Sequence, residues 1–404
     1  MILLKNVILN NKSTDILIKN GKIAEIGKNL IADCDETYNA NGLSALPSFV
    51  DMHVHFRDPG LTHKESILSG SVSALNGGFS AVACMPNTKP VLDTTEWIEW
   101  VKKQPKFINV LPIAAVTKNQ EGLELTNFEA LKKAGAIAFS DDGAPVENCE
   151  IMEKALRLAK KTDVLIISHC EDKSVITNRL NIPRESESNM VSREVDLAKK
   201  LGARIHIAHV STKESIEIIR KAKQNGVSVT CETAPHYFSI TDEIVEKFGN
   251  NARMNPPLRK KSDVDAVISG LIDGTIDVIA TDHAPHSSDE KALPAEIAPF
   301  GIVGLETSFS LGLKYLVNKK HLTLEKLIEV MSLNPSKILR IPANKIEGGN
   351  PANFILANLT EEYIFDVQKT WSKSKNSPYN GEKLIGKVKY NIVNGVVNKC
   401  QQTN

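Results

Sequence analysis

The 404-residue sequence has little cysteine, no excess of charge of either sign and no long apolar run. Its six cysteines are scattered without a Cys-x-x-Cys pair, which argues against a disulfide scaffold and against a zinc cluster held by thiolates. Lysine and arginine number 49 and aspartate and glutamate 48, so the net charge of +1 gives no electrostatic reason to expect nucleic acid or a membrane surface as partner. No stretch approaches the roughly 18 apolar residues of a membrane span.

Further absences narrow the class of protein and of fold. No motif repeats with a period of roughly 20 to 50 residues, which excludes solenoids and propellers. The first residues alternate in polarity and do not form the basic flank, apolar core and cleavage site of a secretory signal, so we expect a soluble, cytoplasmic protein. No Gly-x-Gly-x-x-Gly motif follows the first predicted strand, which disfavours a doubly wound dinucleotide-binding sheet.

Short β-rich runs alternate with helical periodicity through the middle of the chain, as parallel βα units require. The predicted strands are Pro47–Phe56, Ser80–Met85, Asn109–Val116, Ala136–Ser140, Asp163–His169, Arg204–Val210, Val227–Glu232 and Val278–Asp282. The predicted helices include Lys64–Asn76, Phe128–Ala134, Met152–Lys161, Ser192–Leu201, Thr212–Asn225 and Ser262–Leu271. Eight alternating strands indicate an α/β fold, a (β/α)8 TIM barrel, with an open doubly wound sheet as the alternative.

The two ends of the chain have a different pattern. Residues 1–46 and 347–404 alternate apolar and polar positions, with Asn-Gly turns, like short antiparallel strands. Neither segment alone is long enough to bury a core. We therefore expect one small β-sandwich domain built from both termini and docked on a barrel domain of residues 47–346.

The sharpest chemical signal is the pair His53 and His55. Positions i and i+2 of a strand face the same side, so both imidazoles can bind one ion, and Arg57 shares that face. The pair follows a buried apolar run and therefore lies at the carboxyl end of a barrel strand, where catalytic residues of this architecture collect.

Four more ligand-type side chains, Asp142, His169, His209 and Asp282, stand at the ends of other predicted strands. Each alone could be a turn residue, a helix cap or a core histidine. Imidazoles and carboxylates that converge on one rim from five strands require neutralisation, which a divalent metal supplies. Together they predict a metal centre.

A series of short motifs runs in order along nearly the whole chain: DMHVHFRDPG, CMPNTKPVLD, FSDDGAPV, SHCED, IPRESES, AHVSTKES, ETAPHY, MNPPLR, ATDHAPH, GGNPANFIL and IVNGVV. In these motifs the sequence resembles the class I dihydroorotases of the amidohydrolase superfamily. HFRDPG, MPNT and MNPPLR are specific to dihydroorotases within it. The resemblance implies reversible, zinc-dependent cyclisation of N-carbamoyl-L-aspartate to L-dihydroorotate with loss of water, the third step of de novo pyrimidine (UMP) biosynthesis.

The resemblance also assigns roles to individual residues. It implies two zinc ions, bridged by Asp142 and a hydroxide, with the ligands His53, His55, Asp142, His169, His209 and Asp282. Asp282 is the expected acid and base. The expected substrate contacts are His55, Arg57, Asn87, Asn255, His286, Phe300 and Gly301. Other branches of the superfamily carry a carbamylated lysine at the bridging position, and the FSDDG motif has none. A homodimer, possibly associated with aspartate carbamoyltransferase, is the implied assembly.

Two alternatives stay open at this level. A hydantoinase or allantoinase would use the same metals on another ring, although Arg57 and Asn87 argue against it. A non-catalytic scaffold subunit for aspartate carbamoyltransferase should have lost ligands, and this chain keeps them all. Two departures from the family pattern are a short stretch at Glu171–Pro183 and Ala352-Asn353 in the last motif. The segment Ser287–Pro299 is either a lid over the substrate or an ordinary surface loop.

Overall fold

The computed structural model describes residues 1–401, which form two sheets. The strands are β1 (Ile2–Leu9), β2 (Lys12–Lys19), β3 (Lys22–Gly27), β4 (Glu36–Asn39), β5 (Ser44–Pro47), β6 (Phe49–Val54), β7 (Phe79–Cys84), β8 (Asn109–Ala114), β9 (Ala138–Phe139), β10 (Ile166–Ser168), β11 (Ile205–Ile207), β12 (Val229–Thr233), β13 (Val278–Ile279), β14 (Phe354–Ile364), β15 (Lys383–Val393) and β16 (Val396–Lys399).

The α-helices are α1 (Ile67–Gly77), α2 (Thr95–Lys103), α3 (Phe128–Ala134), α4 (Cys149–Thr162), α5 (Arg184–Leu201), α6 (Lys213–Gln224), α7 (Pro235–Ser239), α8 (Val245–Phe248), α9 (Lys261–Asp273), α10 (Ser288–Lys291), α11 (Ser308–Gly312), α12 (Leu324–Ile328) and α13 (Asn334–Leu339). Two π-helical turns at Leu313–Val317 and Glu329–Leu333 continue α11 and α12. Within residues 1–401, no helix combines the length and apolarity needed to cross a bilayer.

Strands β6 to β13 form the predicted parallel barrel in sequential order. A bridge between Val54 and His283 brings the first and last strands together, and the His55 amide donates to the His283 carbonyl at 2.8 Å. Every residue of β6 and β7 is buried, as expected for strands covered on both faces. The eight predicted strands are confirmed, although most are shorter than predicted because their polar carboxyl ends leave the ladder as loops.

The helices on the outside of the barrel are also confirmed. Helix α3 has the predicted bounds, whereas α5 begins earlier than predicted, at Arg184 directly after Pro183. The first turn of α5 carries Glu185 and Glu187, which suit the positive end of the helix dipole. Amphipathic periodicity located the buried face of this helix but not its polar first turns.

The second sheet combines both ends of the chain, in the order β16-β15-β14-β5-β1-β2-β3, with β4 beside β1. The expectation of short antiparallel strands is correct for β1 to β3, for β14 to β16 and for β5, which pairs with β14. It is wrong for β4, which pairs with β1 in parallel. Residues 28–35 return the chain to the same end of the sheet before β4 begins, so β4 runs with β1. Residues 402–404 of the predicted C-terminal segment lie outside the described part of the chain.

Buried polar side chains dock this sheet on the barrel. Asn391 of β15 donates to the carbonyls of Leu75 and Phe79 at 2.9 Å and accepts from Ser48 Oγ at 2.9 Å. A carboxamide that is wholly buried must have such partners. These hydrogen bonds therefore fix the orientation of the sheet on the barrel, in addition to the apolar contacts between them.

The segment of residues 370–377, between β14 and β15, crosses the barrel rim. Glu306, a residue of intermediate exposure, accepts from Ser73 Oγ at 2.8 Å and from the amide of Trp371 at 2.7 Å, which ties this segment to α1. Burial raises the pKa of Glu306 to about 7, although these hydrogen bonds oppose the rise. The folded protein thus holds a proton there at mildly acidic pH.

Replacement of Glu306 by Gln tests the raised pKa of this carboxyl group. Its folded-state pKa of about 7 exceeds the ordinary 4.5, so the folded form binds more protons between these values and stability falls as pH rises through that window. We expect the pH dependence to flatten in Glu306→Gln, with a gain on the order of 3 kcal/mol above neutral pH. Chemical denaturation across that pH range measures it. The exposed Glu129→Gln is the control, and parallel curves for Glu306→Gln and wild type would contradict the assignment.

Candidate metal centre and active site

Six predicted ligands meet at the carboxyl rim of the barrel. His53 is the penultimate residue of β6 and His55 directly follows the strand, while the other four stand just after β9, β10, β11 and β13: Asp142, His169, His209 and Asp282. All six are buried. Because the strands are parallel, their carboxyl ends share one rim, and side chains distant in sequence converge there.

One half of the cluster surrounds Asp282. The Nε2 atoms of His53 and His55 lie 3.5 and 3.3 Å from Asp282 Oδ1. The same two atoms lie 3.4 Å from the Oδ1 and Oδ2 atoms of Asp142, respectively. Two imidazoles therefore point into the space between two carboxylates.

The other half joins this group through Asp142. His169 Nδ1 and His209 Nε2 lie 3.3 and 3.4 Å from Asp142 Oδ1, and 2.8 Å from each other. Asp142 thus contacts all four imidazoles, which is the position expected of a carboxylate shared by two cations. No lysine is needed at this position.

The cluster fits divalent cations on its own chemistry. Potential ligand atoms of His53, His55 and Asp282, and of His53, Asp142 and His209, lie within 4.8 Å of one another. His53 Nε2 is buried and has no hydrogen-bond partner, although its other nitrogen is bonded. An imidazole held by one nitrogen presents the lone pair of the other to a metal, and imidazole with carboxylate is a ligand set that zinc accepts.

Charge and backbone geometry both mark this rim. Burial alone would raise the pKa of Asp142 and Asp282, but the surrounding imidazoles, His53 foremost, lower both pKa values overall.

Arg57, His209 and Asp282 have φ values of 59°, 34° and 48°, in the left-handed region that non-glycine residues rarely adopt. Such strain persists where surrounding structure enforces it, typically at functional sites.

Sequence reasoning missed the buried carboxylate that orients His53. Glu232 of β12 lies 2.7 Å from His53 Nδ1 and 3.2 Å from His206 Nε2, and His206 Nδ1 lies 2.8 Å from Thr230 Oγ1. Burial would raise the pKa of Glu232, but His206 and His53 lower it to about 2. His206 is buried in this chain of contacts. A glutamate inside a barrel strand was the available signal.

Two further buried carboxylates hold the loops of the rim. Asp51 accepts from the Thr281 amide at 3.1 Å and hydroxyl at 2.6 Å, and from the His53 amide at 3.0 Å. Asp141 accepts from the amides of Val116 and Thr117 at 2.8 and 3.2 Å. Asp51 is two residues from His53 and Asp141 is next to Asp142 in sequence. The sequence pattern therefore could not show which side chains hold the loops and which are metal ligands.

Asn87 and Asn255 lie against the centre, each bonded to a side chain there. Asn87 Oδ1 is 2.8 Å from His55 Nδ1, and Asn255 Nδ2 donates to Glu171 Oε1 at 2.8 Å. Glu171 Oε2 lies 3.7 Å from His169 Nε2. In the described residues both amides therefore support metal-centre histidines, directly or through Glu171.

Arg57 and His286 form the opposite wall. Arg57 Nη2 is 3.1 Å from His286 Nε2, and His286 Nε2 is 2.8 Å from the Phe300 carbonyl. Burial and Arg57 lower the pKa of His286, so its ring is neutral. With its Nε2 proton donated to Phe300, the ring cannot accept from Arg57. Among residues 1–401, Arg57 then keeps a buried N–H group that is directed at no acceptor, as a site for an anion requires.

Asn376, from the segment that crosses the rim, connects the loops of this wall. Its Nδ2 donates to the Ala284 and Gly301 carbonyls at 3.0 and 2.9 Å, and its Oδ1 accepts from the His286 amide at 3.2 Å. Gly301 has φ +139°, and a Cβ there would lie 2.7 Å from Ala284. Sequence reasoning missed Asn376, because the segment carries no catalytic motif.

The segment Ser287–Pro299 folds over this wall and contains α10. Arg179, from the short stretch after β10, donates to the carbonyls of Ala295, Glu296 and Ala298. Its guanidinium also lies 4.2 Å from the centre of the Phe300 ring. The two rim loops thus contact each other. Movement of Ser287–Pro299 as a lid over the substrate stays a prediction.

Comparison with known proteins gives a consistent family. A model described as Dihydro-orotase-like matches residues 42–215. Dihydroorotases of Acetivibrio thermocellus and Clostridioides difficile are 47% and 45% identical to the chain, covering 96% and 98% of it and 95% and 99% of their own lengths. Among solved structures, the L-hydantoinase of Arthrobacter aurescens superposes with a TM-score of 0.90 at 26% identity, covering 100% of this chain and 97% of its own. A dihydropyrimidinase of Brevibacillus agri, at 21% identity and TM-score 0.88, shares the fold.

Substitution of Glu232 by Gln tests the support of His53. The change removes a charge but keeps the shape of the side chain, so we expect metal affinity to fall by about 10- to 100-fold, as for other residues that orient a metal-bound histidine. Competition with a chelator measures the affinity. Glu362→Gln, on the terminal sheet, should leave it unaltered. Wild-type affinity in Glu232→Gln would mean that His53 needs no carboxylate partner.

Proposed function

Because the chain belongs to the dihydroorotase family, we propose that its rim residues catalyse the reversible cyclisation of N-carbamoyl-L-aspartate to L-dihydroorotate with loss of water. Its activity is that of a cyclic amide hydrolase, acting on a carbon–nitrogen bond. The observation that carries the specific assignment is the buried metal cluster facing an unpaired arginine across one pocket rim.

We assign the six clustered residues to two zinc ions. His53, His55 and Asp282 would hold the first, His169 and His209 the second, and Asp142 both. Its contact with all four imidazoles supports the shared role. Such cations, when bound, would lower the pKa of a coordinated water and would polarise the amide carbonyl of the substrate.

Asp282 carries the proton in this mechanism. During ring opening its carboxylate accepts a proton from the attacking water and passes it to the ring nitrogen as the carbon–nitrogen bond breaks. In the biosynthetic direction, Asp282 accepts the proton of the attacking nitrogen, and the side-chain carboxyl carbon loses water as the ring closes. Its location beside His53 and His55 and its left-handed backbone support this role.

Arg57, with His286 and Asn87, holds the α-carboxylate of the substrate in this proposal. A planar guanidinium with a free N–H group suits a carboxylate. Asn255 and the backbone at Phe300 and Gly301 face the ring, and His55 borders it. The neutral His286 presents no second charge that would compete with Arg57 for the anion.

The hydantoinase alternative is weaker on the same geometry. A hydantoin or allantoin ring bears no carboxylate at the corresponding position, so an unpaired buried Arg57 would remain without an anionic partner and at a cost in free energy. The fold cannot decide between the two, since one barrel hosts many reactions. Arg57 can.

The wider biological role follows from the proposed reaction. It would supply L-dihydroorotate to pyrimidine biosynthesis. A cytoplasmic location agrees with six cysteines that all remain free thiols in residues 1–401. We keep the division into a barrel of residues 47–346 and a terminal domain of residues 1–46 and 347–404, a homodimer and an association with aspartate carbamoyltransferase as proposals.

A paired assay tests the function. On protein purified without chelator, we expect about two zinc ions per chain and turnover of dihydroorotate in preference to hydantoin and allantoin. Elemental analysis and ultraviolet assays of the three substrates measure both. Preference for hydantoin would mean that Arg57 does not bind a carboxylate. Absence of both metal and turnover would favour the scaffold function.

The substitution Asp282→Asn tests the proton path separately. We expect the variant to keep its bound metal but to lose turnover by about 10²- to 10⁴-fold, as general acid–base groups do when removed. Metal content and kcat are measured on the same preparation, with the exposed Asp265→Asn as the matched control. Normal kcat in Asp282→Asn would remove this residue from the proton path.

A further inference from the structure

The arginines of this chain divide into two groups by their partners. Of the ten, six form ion pairs with carboxylates: Arg157, Arg184, Arg193, Arg204, Arg220 and Arg340. The other four have no carboxylate partner among residues 1–401: Arg57, Arg179, Arg253 and Arg259. Arg57 belongs to the catalytic wall. The remaining three line a single cavity.

This cavity lies behind the Phe300 wall, between the stretch at 179–184 and the loop at 252–260. Its volume is about 260 Å³, room for several waters of roughly 30 Å³ each or for a small metabolite. None of the six metal-centre residues lines it. The cavity is therefore separate from the catalytic centre, although Phe300 and Met254 place it next to the substrate side.

Two of the three arginines, Arg253 and Arg259, keep buried N–H groups without an acceptor among residues 1–401. Arg259 is buried, donates to Ser211 Oγ at 3.2 Å and to the Ile182 carbonyl at 2.9 Å, and leaves Nη2 without a partner. Arg253 forms no side-chain hydrogen bond within residues 1–401, and its Nε is buried. Arg179 donates only to backbone carbonyls. A buried guanidinium N–H group without an acceptor costs free energy unless a bound group satisfies it.

The carboxylates near the cavity are already paired. Asp242, the one acidic residue in its lining, lies 2.9 Å from Lys260 Nζ. Arg184, which also lines the cavity, is paired with Glu214 and Asp263. The lining thus carries an excess of positive charge in a chain whose net charge is only +1.

We propose that this cavity is a second anion site, which binds a small dianion between Arg179, Arg253 and Arg259. The planar fork of arginine suits the oxygen pairs of a carboxylate or a phosphate. The dianion has two chemical sources, a dicarboxylate such as the proposed substrate or a metabolite bearing a phosphate group. Because Arg179 also holds residues 295–298, occupancy of the site would bear on the loop that covers the substrate wall.

Equilibrium dialysis of the metal-loaded protein tests the site, with radiolabelled succinate as the dicarboxylate probe and sulfate as the tetrahedral probe. Ionic strength is held constant. We expect one additional anion per chain, with binding weakened about 10-fold or more in Arg253→Met and less in Arg253→Lys. The outer Arg157→Met is the control. Preference for succinate or for sulfate identifies the source.

Arg57→Met separates this site from the catalytic pocket. Binding that survives Arg57→Met and falls in Arg253→Met supports the second site. The opposite pattern would place the anion on the catalytic arginine and overturn the proposal, as would wild-type protein that retains no anion. If Arg253→Met melts below wild type, Arg179→Met supplies the same comparison. The experiment measures no turnover, so its failure leaves the proposed function standing.

Discussion

The carboxylate of Asp142, buried among four imidazoles, is the constraint on which the rest of the rim depends. Each of these groups is costly to bury alone, and together they form a stable arrangement only when cations or protons balance the carboxylates and the ring nitrogens. Glu232 orients His53, Asn87 lies on His55, and Asp51 and Asp141 hold the adjoining loops. The left-handed backbones of His209 and Asp282 show that the surrounding fold holds these side chains together against local strain.

The barrel itself was predictable because its signals are local and repetitive. Apolar runs that end in histidine or aspartate mark the carboxyl ends of β6, β10, β11 and β13, and helical periodicity fills the intervals. The clustering of the proposed metal ligands followed from the same rule, since parallel strands share one rim. The direction of β4 did not follow, because alternation of polarity shows which face of a strand is buried but not which way the strand runs.

The supporting residues were beyond pattern reasoning for a physical reason. Glu232 and Asn376 act by completing hydrogen bonds of groups that are distant in sequence. The position of Glu232 inside a barrel strand is its one local signal, and Asn376 has none. Their function depends on burial, which emerges only when the whole chain has packed. The lack of carboxylate partners for Arg179, Arg253 and Arg259 within residues 1–401 could not be predicted either, because it depends on which side chains lie nearby in the folded chain.

The segment of residues 370–377 has a consequence for the order in which the enzyme matures. Its Asn376 fastens the loops of His286 and Gly301, yet it is made after all eight barrel strands. A chain still emerging from the ribosome can close its barrel before this fastening exists. The substrate wall is therefore among the last parts of the molecule to be completed, and a polypeptide cut short before Asn376 would have the metal ligands without the finished pocket.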